Sequence, residues 1–261
     1  MDNIYHQDNV RPVVVEVVDP MTQFIRSIYN LSLIFIGLTI AAWLLLTLTT
    51  VHVHKYLPFP TYVLVIFIFL AMVFLNCIPS LSYSSPCKWM MTSLVVVCTI
   101  ISSSYVTDML SLLTLCLVLI GVSLIILVLN FSGAKCPQEF LPGGVCSTTL
   151  MIVLGLLLIV VAIAQLCTEN VELLDAFISI LFIMVIIAIP IQAQFNHGRL
   201  DNVEVIPKRH LMVCTLTLYL HAIMFFCCVC YFILVEERKE TARLAAEAAM
   251  KTVSVPENDF D

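Results

Sequence analysis

Residues 210–235 read HLMVCTLTLYLHAIMFFCCVCYFILV, 26 consecutive positions without an Asp, Glu, Lys or Arg. At roughly 1.5 Å of rise per residue, a helix needs about 20 apolar residues to cross the ~30 Å hydrocarbon core of a bilayer. This stretch is long enough. Six further charge-free stretches precede it, at 27–54, 56–87, 89–107, 109–134, 140–168 and 176–198. Over the whole chain 61% of residues are hydrophobic and 11% charged, against about 45–50% and about 25% in a soluble domain. A soluble globule is excluded. The stretches are continuously apolar rather than alternating over ~10-residue segments, and lipid cannot hydrogen-bond an open backbone, so helices are expected and not barrel strands. The expected fold is an all-α integral membrane protein, a bundle of seven transmembrane helices in contact with the lipid bilayer.

The spans are placed at 30–51, 60–78, 90–106, 109–130, 148–167, 174–194 and 211–234. Asp19 followed by Pro20 reads as an N-cap and first helical position, so the first helix should begin ahead of its apolar run. Three regions result: a cytosolic N-terminal segment (1–19) with no cleavable signal pattern, a seven-helix domain (20–235), and a polar tail (236–261) that is helical and then disordered. The third span carries Thr99, Ser102, Ser103 and Ser104, so it should either pack inside the bundle or sit displaced from the full membrane thickness. Pro190 falls within the sixth span and should kink it or break its hydrogen-bond ladder.

Lys and Arg number seven on the side of the N-terminus and one in the loops of the opposite side, which orients the N-terminus to the cytosol. Seven spans then place the tail on the far side, although Arg238, Lys239, Arg243 and Lys251 would favour the cytosol. The net charge of −6 leaves no basic footprint for nucleic acid. Cys98, Cys116, Cys167, Cys214, Cys227, Cys228 and Cys230 lie in apolar spans, where a thiol behaves as a small hydrophobe. His52 and His54 have no third ligand nearby, so no metal site is expected. Phosphate loops, HExxH pairs and G-x-S-x-G elbows are missing from the sequence, so neither catalysis nor a cofactor is expected.

His221, near the middle of the seventh span, is the ionisable side chain that stands out. Such a group usually faces a bundle interior or a water path, and a histidine there can switch charge near neutral pH. A neutral ring hydrogen-bonded between helices is the plainer account. Gln192 and Gln194, just past Pro190, either line an ion path or act as interhelical glue.

Phe24-Ile25-Arg26-Ser27-Ile28-Tyr29 resembles the Phe-Ile-Arg-Lys-Val-Tyr opening of the lifeguard branch of the transmembrane Bax inhibitor motif family. Asn76-Cys77-Ile78-Pro79 through Ser85-Pro86 looks like that family's loop between its second and third helices. Phe140 with Gly143-Gly144 is similar to its connection before the fifth helix. Leu216-Thr217-Leu218-Tyr219-Leu220-His221 stands where the family has Leu-Asn-Leu-Tyr-Leu-Asp. The matches keep their order, and the resemblance covers residues 24–235. It implies a seven-helix protein of endoplasmic reticulum or Golgi rather than plasma membrane, one that restrains cell death, meets other apoptosis-regulating membrane proteins and lets calcium ions leak in a pH-dependent way.

The family's leak depends on two aspartates, one in the Leu-Tyr-Leu-Asp motif and one at the end of the sixth helix. Here His221 occupies the first position, and Ile189-Pro190-Ile191-Gln192-Ala193-Gln194 supplies no acid at the second. Losing two hard carboxylates removes what calcium prefers and any pair able to share a proton, so a lost or altered leak is expected. The alternative is a transporter or channel for another solute with His221 in its pathway.

Overall fold

The computed structural model describes residues 20–49, 51–56, 61–78, 84–135, 144–168, 170–198 and 210–253. The expectations for the N-terminal segment, Gly143 and the last eight residues lie outside them. Among the described residues the regular structure is helical: α1 (Pro20–Thr49), α2 (Thr61–Cys77), α3 (Ser85–Thr107), α4 (Leu112–Lys135), α5 (Gly144–Thr168), α6 (Val171–Asn196) and α7 (Leu211–Val253), with a single helical turn at Val53–Tyr56. All but α2 contain a segment long and apolar enough to cross a membrane, with mean hydropathy from 1.6 to 3.2. This is an α-helical, multi-pass membrane protein. α2, at 17 residues, is the short one.

α7 is the axis of the bundle. Its buried positions include Met212, Cys214, Leu216, Tyr219, Ala222, Phe225, Phe226 and Cys230, which at 100° per residue spread over more than half of the helix circumference, the pattern of a helix with neighbours on several sides. Around it stand α1, α3, α4 and α6. α2 lies mainly against α3 and α5 against α6. The apolar segment of α5 buries none of its residues within the protein, and Ile152, Val153, Leu156, Ile159, Val160 and Ile163 all face outward. A wall of this kind needs an apolar surrounding, which the hydrocarbon of a bilayer supplies.

Burial between helices yields little hydrophobic gain in lipid, so packing and hydrogen bonds have to hold such a bundle. α1 shows how. Its buried residues, Phe24, Ile28, Ser32, Phe35, Thr39 and Trp43, recur every three or four positions and form one stripe. Ser32 Oγ donates to the Thr215 carbonyl at 3.0 Å, Thr39 Oγ1 and Tyr219 Oη share a hydrogen bond of 2.9 Å, and the Trp43 indole donates to Ser103 Oγ at 3.0 Å. Such interhelical bonds contribute about 0.6–2 kcal/mol each. Trp43 also stacks on Phe226, with ring centroids 4.7 Å apart.

The polarity of the third span has an inward explanation. Thr92, Thr99, Ser103, Ser104 and Thr107 are buried, and the hydroxyls of Thr99 and Ser104 donate to the carbonyls of Val95 and Ile101, both at 2.7 Å. Back-bonding of this sort satisfies a hydroxyl within its own helix. α3 therefore turns its hydroxyl-bearing face into the bundle from Thr92 to Thr107.

One expectation needs correction. Pro190 does not break its helix, which runs without interruption from Val171 to Asn196. Gly133 of α4 sits directly on that turn, close enough that a Cβ there would lie 2.6 Å from Pro190 Cα, so tertiary packing supports the weakened ladder. The tail from 236 is helical, as its composition leads one to expect. α7 continues into it as one 43-residue helix, about 65 Å long, whose exposed final turns simply leave the apolar zone. Glu236, Glu237, Arg238, Lys239 and Glu240 are all exposed there.

Helix directions follow from contacts at the ends. His52, just past α1, bonds Asp108, just past α3, at 2.9 Å, so these two helices run parallel and finish together. α2 brings the chain back between them along α3. Arg238 of α7 reaches Met109 Sδ at 3.8 Å, and Tyr231 of α7 donates to Asp175, in the second turn of α6, at 2.6 Å. These groups share what is called here the far end of the bundle, and the starts of α1 and α7 mark the near end.

Candidate functional site

At the near end, α1 and α7 meet through Phe24, Ile28, Cys214 and Leu218, an apolar cluster completed by Met21, Tyr29, Phe195 and Leu211. Residues of two separate resembling motifs, Phe24 with Tyr29 and Leu218, thus come together. Ile25 is half-buried and Arg26 exposed. Tyr219 is wholly buried, its hydroxyl on Thr39 and its ring edge-on to Phe35 at 6.0 Å. Leu220 packs on the same core. The motif side chains on α7 hold helices together. Gly144 opens α5.

The end of α6 stands beside this cluster and is rich in amides. Gln194 and Asn196 are buried. Gln192 Nε2 donates to Asn196 Oδ1 at 2.8 Å, a bond between successive turns of one helix, and Asn196 Nδ2 is buried without a partner among the described residues. His197 closes the helix with Nδ1 2.7 Å from the Ala193 carbonyl, and its ring lies 6.0 Å from Tyr29. Gly198 follows with φ of +64°, the left-handed conformation that ends many helices and that glycine adopts without strain.

Across from Pro190 and Ala193, α4 presents Gly133. A methyl group at that position would also lie 2.9 Å from Ala193 Cβ, so only glycine permits this approach of two helices. One turn earlier, Asn130 donates through Nδ2 to the Ile126 carbonyl at 3.0 Å, while its Oδ1 is buried with no partner among the described residues.

His221 lies deeper, one turn past Leu218. Its Nδ1 is buried and has no hydrogen-bond partner among the described residues. The sequence pattern grouped it with Gln192 and Gln194, but no hydrogen bond among the described residues joins it to either amide. Gln192 is engaged with Asn196 instead. Groups of three or more His, Cys, Asp or Glu able to hold a metal ion do not occur among the described residues.

At the far end the structure adds pairings that sequence reasoning missed. His52 is paired with Asp108, their side chains 40% and 12% exposed, and Asp175 accepts from Tyr231. A signal for both acids exists in retrospect. Asp108 is the only charge between two long uncharged stretches, and Asp175 directly precedes a third. A carboxylate at a span junction needs a donor from a neighbouring helix, because lone charge beside hydrocarbon is costly.

Compared with known proteins, the chain matches no family model, no curated protein and no solved structure.

Proposed function

We propose that the chain is a seven-span protein of endoplasmic reticulum or Golgi membranes, of lifeguard type, that modulates calcium homeostasis and restrains cell death without the acid-driven calcium leak of that family. The observation that carries this reading is the position of His221. It stands in the middle of the apolar part of the central helix, with its buried Nδ1 unpartnered among the described residues, where the resemblance implies an aspartate. The end of α6, where the second acid would stand, carries Gln192, Gln194 and Asn196. Neutral amides and an imidazole supply neither the hard anionic oxygens calcium selects nor a proton-sharing carboxylate pair.

The seventh pass is assigned to α2. Its 17 residues meet the lower limit for a span, about 17 residues, and it joins the far end at Tyr56 to the near end at Ser85. With all seven helices crossing, the N-terminus faces the cytosol, as the Lys and Arg distribution favours.

The test is calcium flux into liposomes carrying the purified protein at about pH 6 and pH 8, either side of an ordinary histidine. The wild type should show no acid-dependent leak, and restoring both carboxylates, by His221→Asp together with Gln192→Asp at the end of α6, should introduce one. A robust acid-dependent leak in the wild type would refute the proposal. A second reading, a transporter for another solute, draws on the unpartnered His221 Nδ1. It requires solute uptake that both His221→Ala and His221→Asp abolish.

A further inference from the structure

Past Val235 the central helix leaves the apolar zone, and residues 236–247 are exposed throughout. A short helix held at one end only is marginal in water. Among the described residues one hydrogen bond joins this stretch to another element, from Arg238 Nη2 to Met109 Sδ, 3.8 Å apart. Met109 lies in the turn between α3 and α4 and is 61% exposed. Both side chains line an open cavity of about 610 Å³ between that turn and the face of α7 that carries Leu234, Thr241 and Ala245.

A thioether is a weak acceptor, whereas a guanidinium carries five donors and a permanent charge. Arg243 of the same helix pairs with Glu247 at 3.3 Å, but no carboxylate among the described residues forms an ion pair with Arg238. One oxygen added to the sulfur changes the contact. With an S–O bond of about 1.5 Å and an angle of about 120° at the oxygen, an N···S separation of 3.8 Å corresponds to an N···O distance of about 2.8 Å, the length of a charge-assisted hydrogen bond. The guanidinium and the sulfur already stand at the separation such a bond requires.

We infer that Met109 is a site of oxidation to the sulfoxide and that Arg238 holds the product, latching the solvated part of α7 to the α3–α4 turn. The oxidant is a hydroperoxide. A sulfur lone pair takes one peroxide oxygen, the O–O bond breaks, and the other oxygen leaves as water or an alcohol; the sulfur gives up two electrons and the peroxide accepts them. Exposure supplies access to the sulfur, and the open cavity leaves room for the added oxygen. The step turns a flexible apolar side chain into a polar one and is reversed by sulfoxide reductases. The site is independent of the calcium reading and survives its failure.

The experiment uses the full chain in nanodiscs treated with hydrogen peroxide, with oxidation mapped by peptide mass spectrometry and amide hydrogen exchange followed over 236–247. Met109 should gain one oxygen while Met212, 4% exposed, does not. In the oxidised protein, exchange over 236–247 should slow by about two- to tenfold, the effect of one added hydrogen bond, and should return to its starting rate after treatment with sulfoxide reductase. Arg238→Leu should still be oxidised at Met109 but show no slowing. Met109→Leu should show no slowing with peroxide, whichever other methionines react, and Met109→Gln, which brings an amide oxygen to the same place, should slow exchange without peroxide. Resistance of Met109 equal to that of Met212, oxidation of Met109 that leaves exchange over 236–247 unchanged, or equal slowing in Arg238→Leu would overturn the proposal.

Discussion

The two ends of the bundle are held in different ways. At the far end, carboxylates bind rings from other helices: Asp108 takes His52 at 2.9 Å and Asp175 takes Tyr231 at 2.6 Å. At the near end the polar groups are amides, two of which, Asn130 and Asn196, keep a buried atom without a partner among the described residues, and the helices are fastened by an apolar cluster and by the contact of Gly133 with Pro190. Directed polar bonds secure one end and close packing the other. Buried polar atoms without partners among the described residues occur at both ends, Asn130 Oδ1 and Asn196 Nδ2 at the near end and Gln165 Oε1 toward the far end, while His52 and Tyr231 are engaged with their acids.

Substitution at Gly133 should have the largest effect. Even Gly133→Ala places a Cβ 2.6 Å from Pro190 Cα, and overpacking of this kind costs about 1–3 kcal/mol. Thermal unfolding in detergent should show a clear drop, with Gly121→Ala and Gly155→Ala as controls, because nothing lies within 4 Å of a Cβ at either of those positions. If all three alanine variants unfold alike, the near end is not held by packing and the comparison fails.

Removal of the Asp175 carboxylate should come next. A hydrogen bond to a charged group contributes about 1.5–3 kcal/mol, so Asp175→Ala should destabilise by up to that amount and Tyr231→Phe by about 1 kcal/mol, the value of an ordinary bond. A double variant no worse than Asp175→Ala alone would show that the two side chains act as one unit; simple additivity would show that they do not. His52→Ala should have the smallest effect. The ring is 40% exposed, and pairs open to solvent contribute about 0–1 kcal/mol.

Much of this was readable from the chain. The charge-free stretches located every long helix, and Pro20 marked the first residue of α1. The hydroxyl-bearing third span was a genuine ambiguity. Serine and threonine can bond their own helix, so their presence does not reveal which way a face turns until Ser103 is seen beneath Trp43. Pro190 misled for a related reason: a proline weakens a ladder locally, but whether the helix breaks depends on what packs against it, and Gly133 lies 57 positions away in sequence. Asp108 and Asp175 were visible as isolated charges, yet their partners come from other helices and have no local signature. His221 could be picked out as an ionisable group at depth, but not its separation from Gln192, which is satisfied by Asn196 one turn along its own helix.

All of these comparisons presuppose that the two ends lie on opposite sides of the membrane, which requires α2 to cross as well as the six longer helices. Protease protection in sealed vesicles, with one epitope tag before Met1 and another after Asp261, tests this directly. The seven-pass arrangement predicts that one tag is digested from outside while the other is protected until the vesicles are opened with detergent. Digestion of both tags, or protection of both, in intact vesicles would mean an even number of passes and would contradict it.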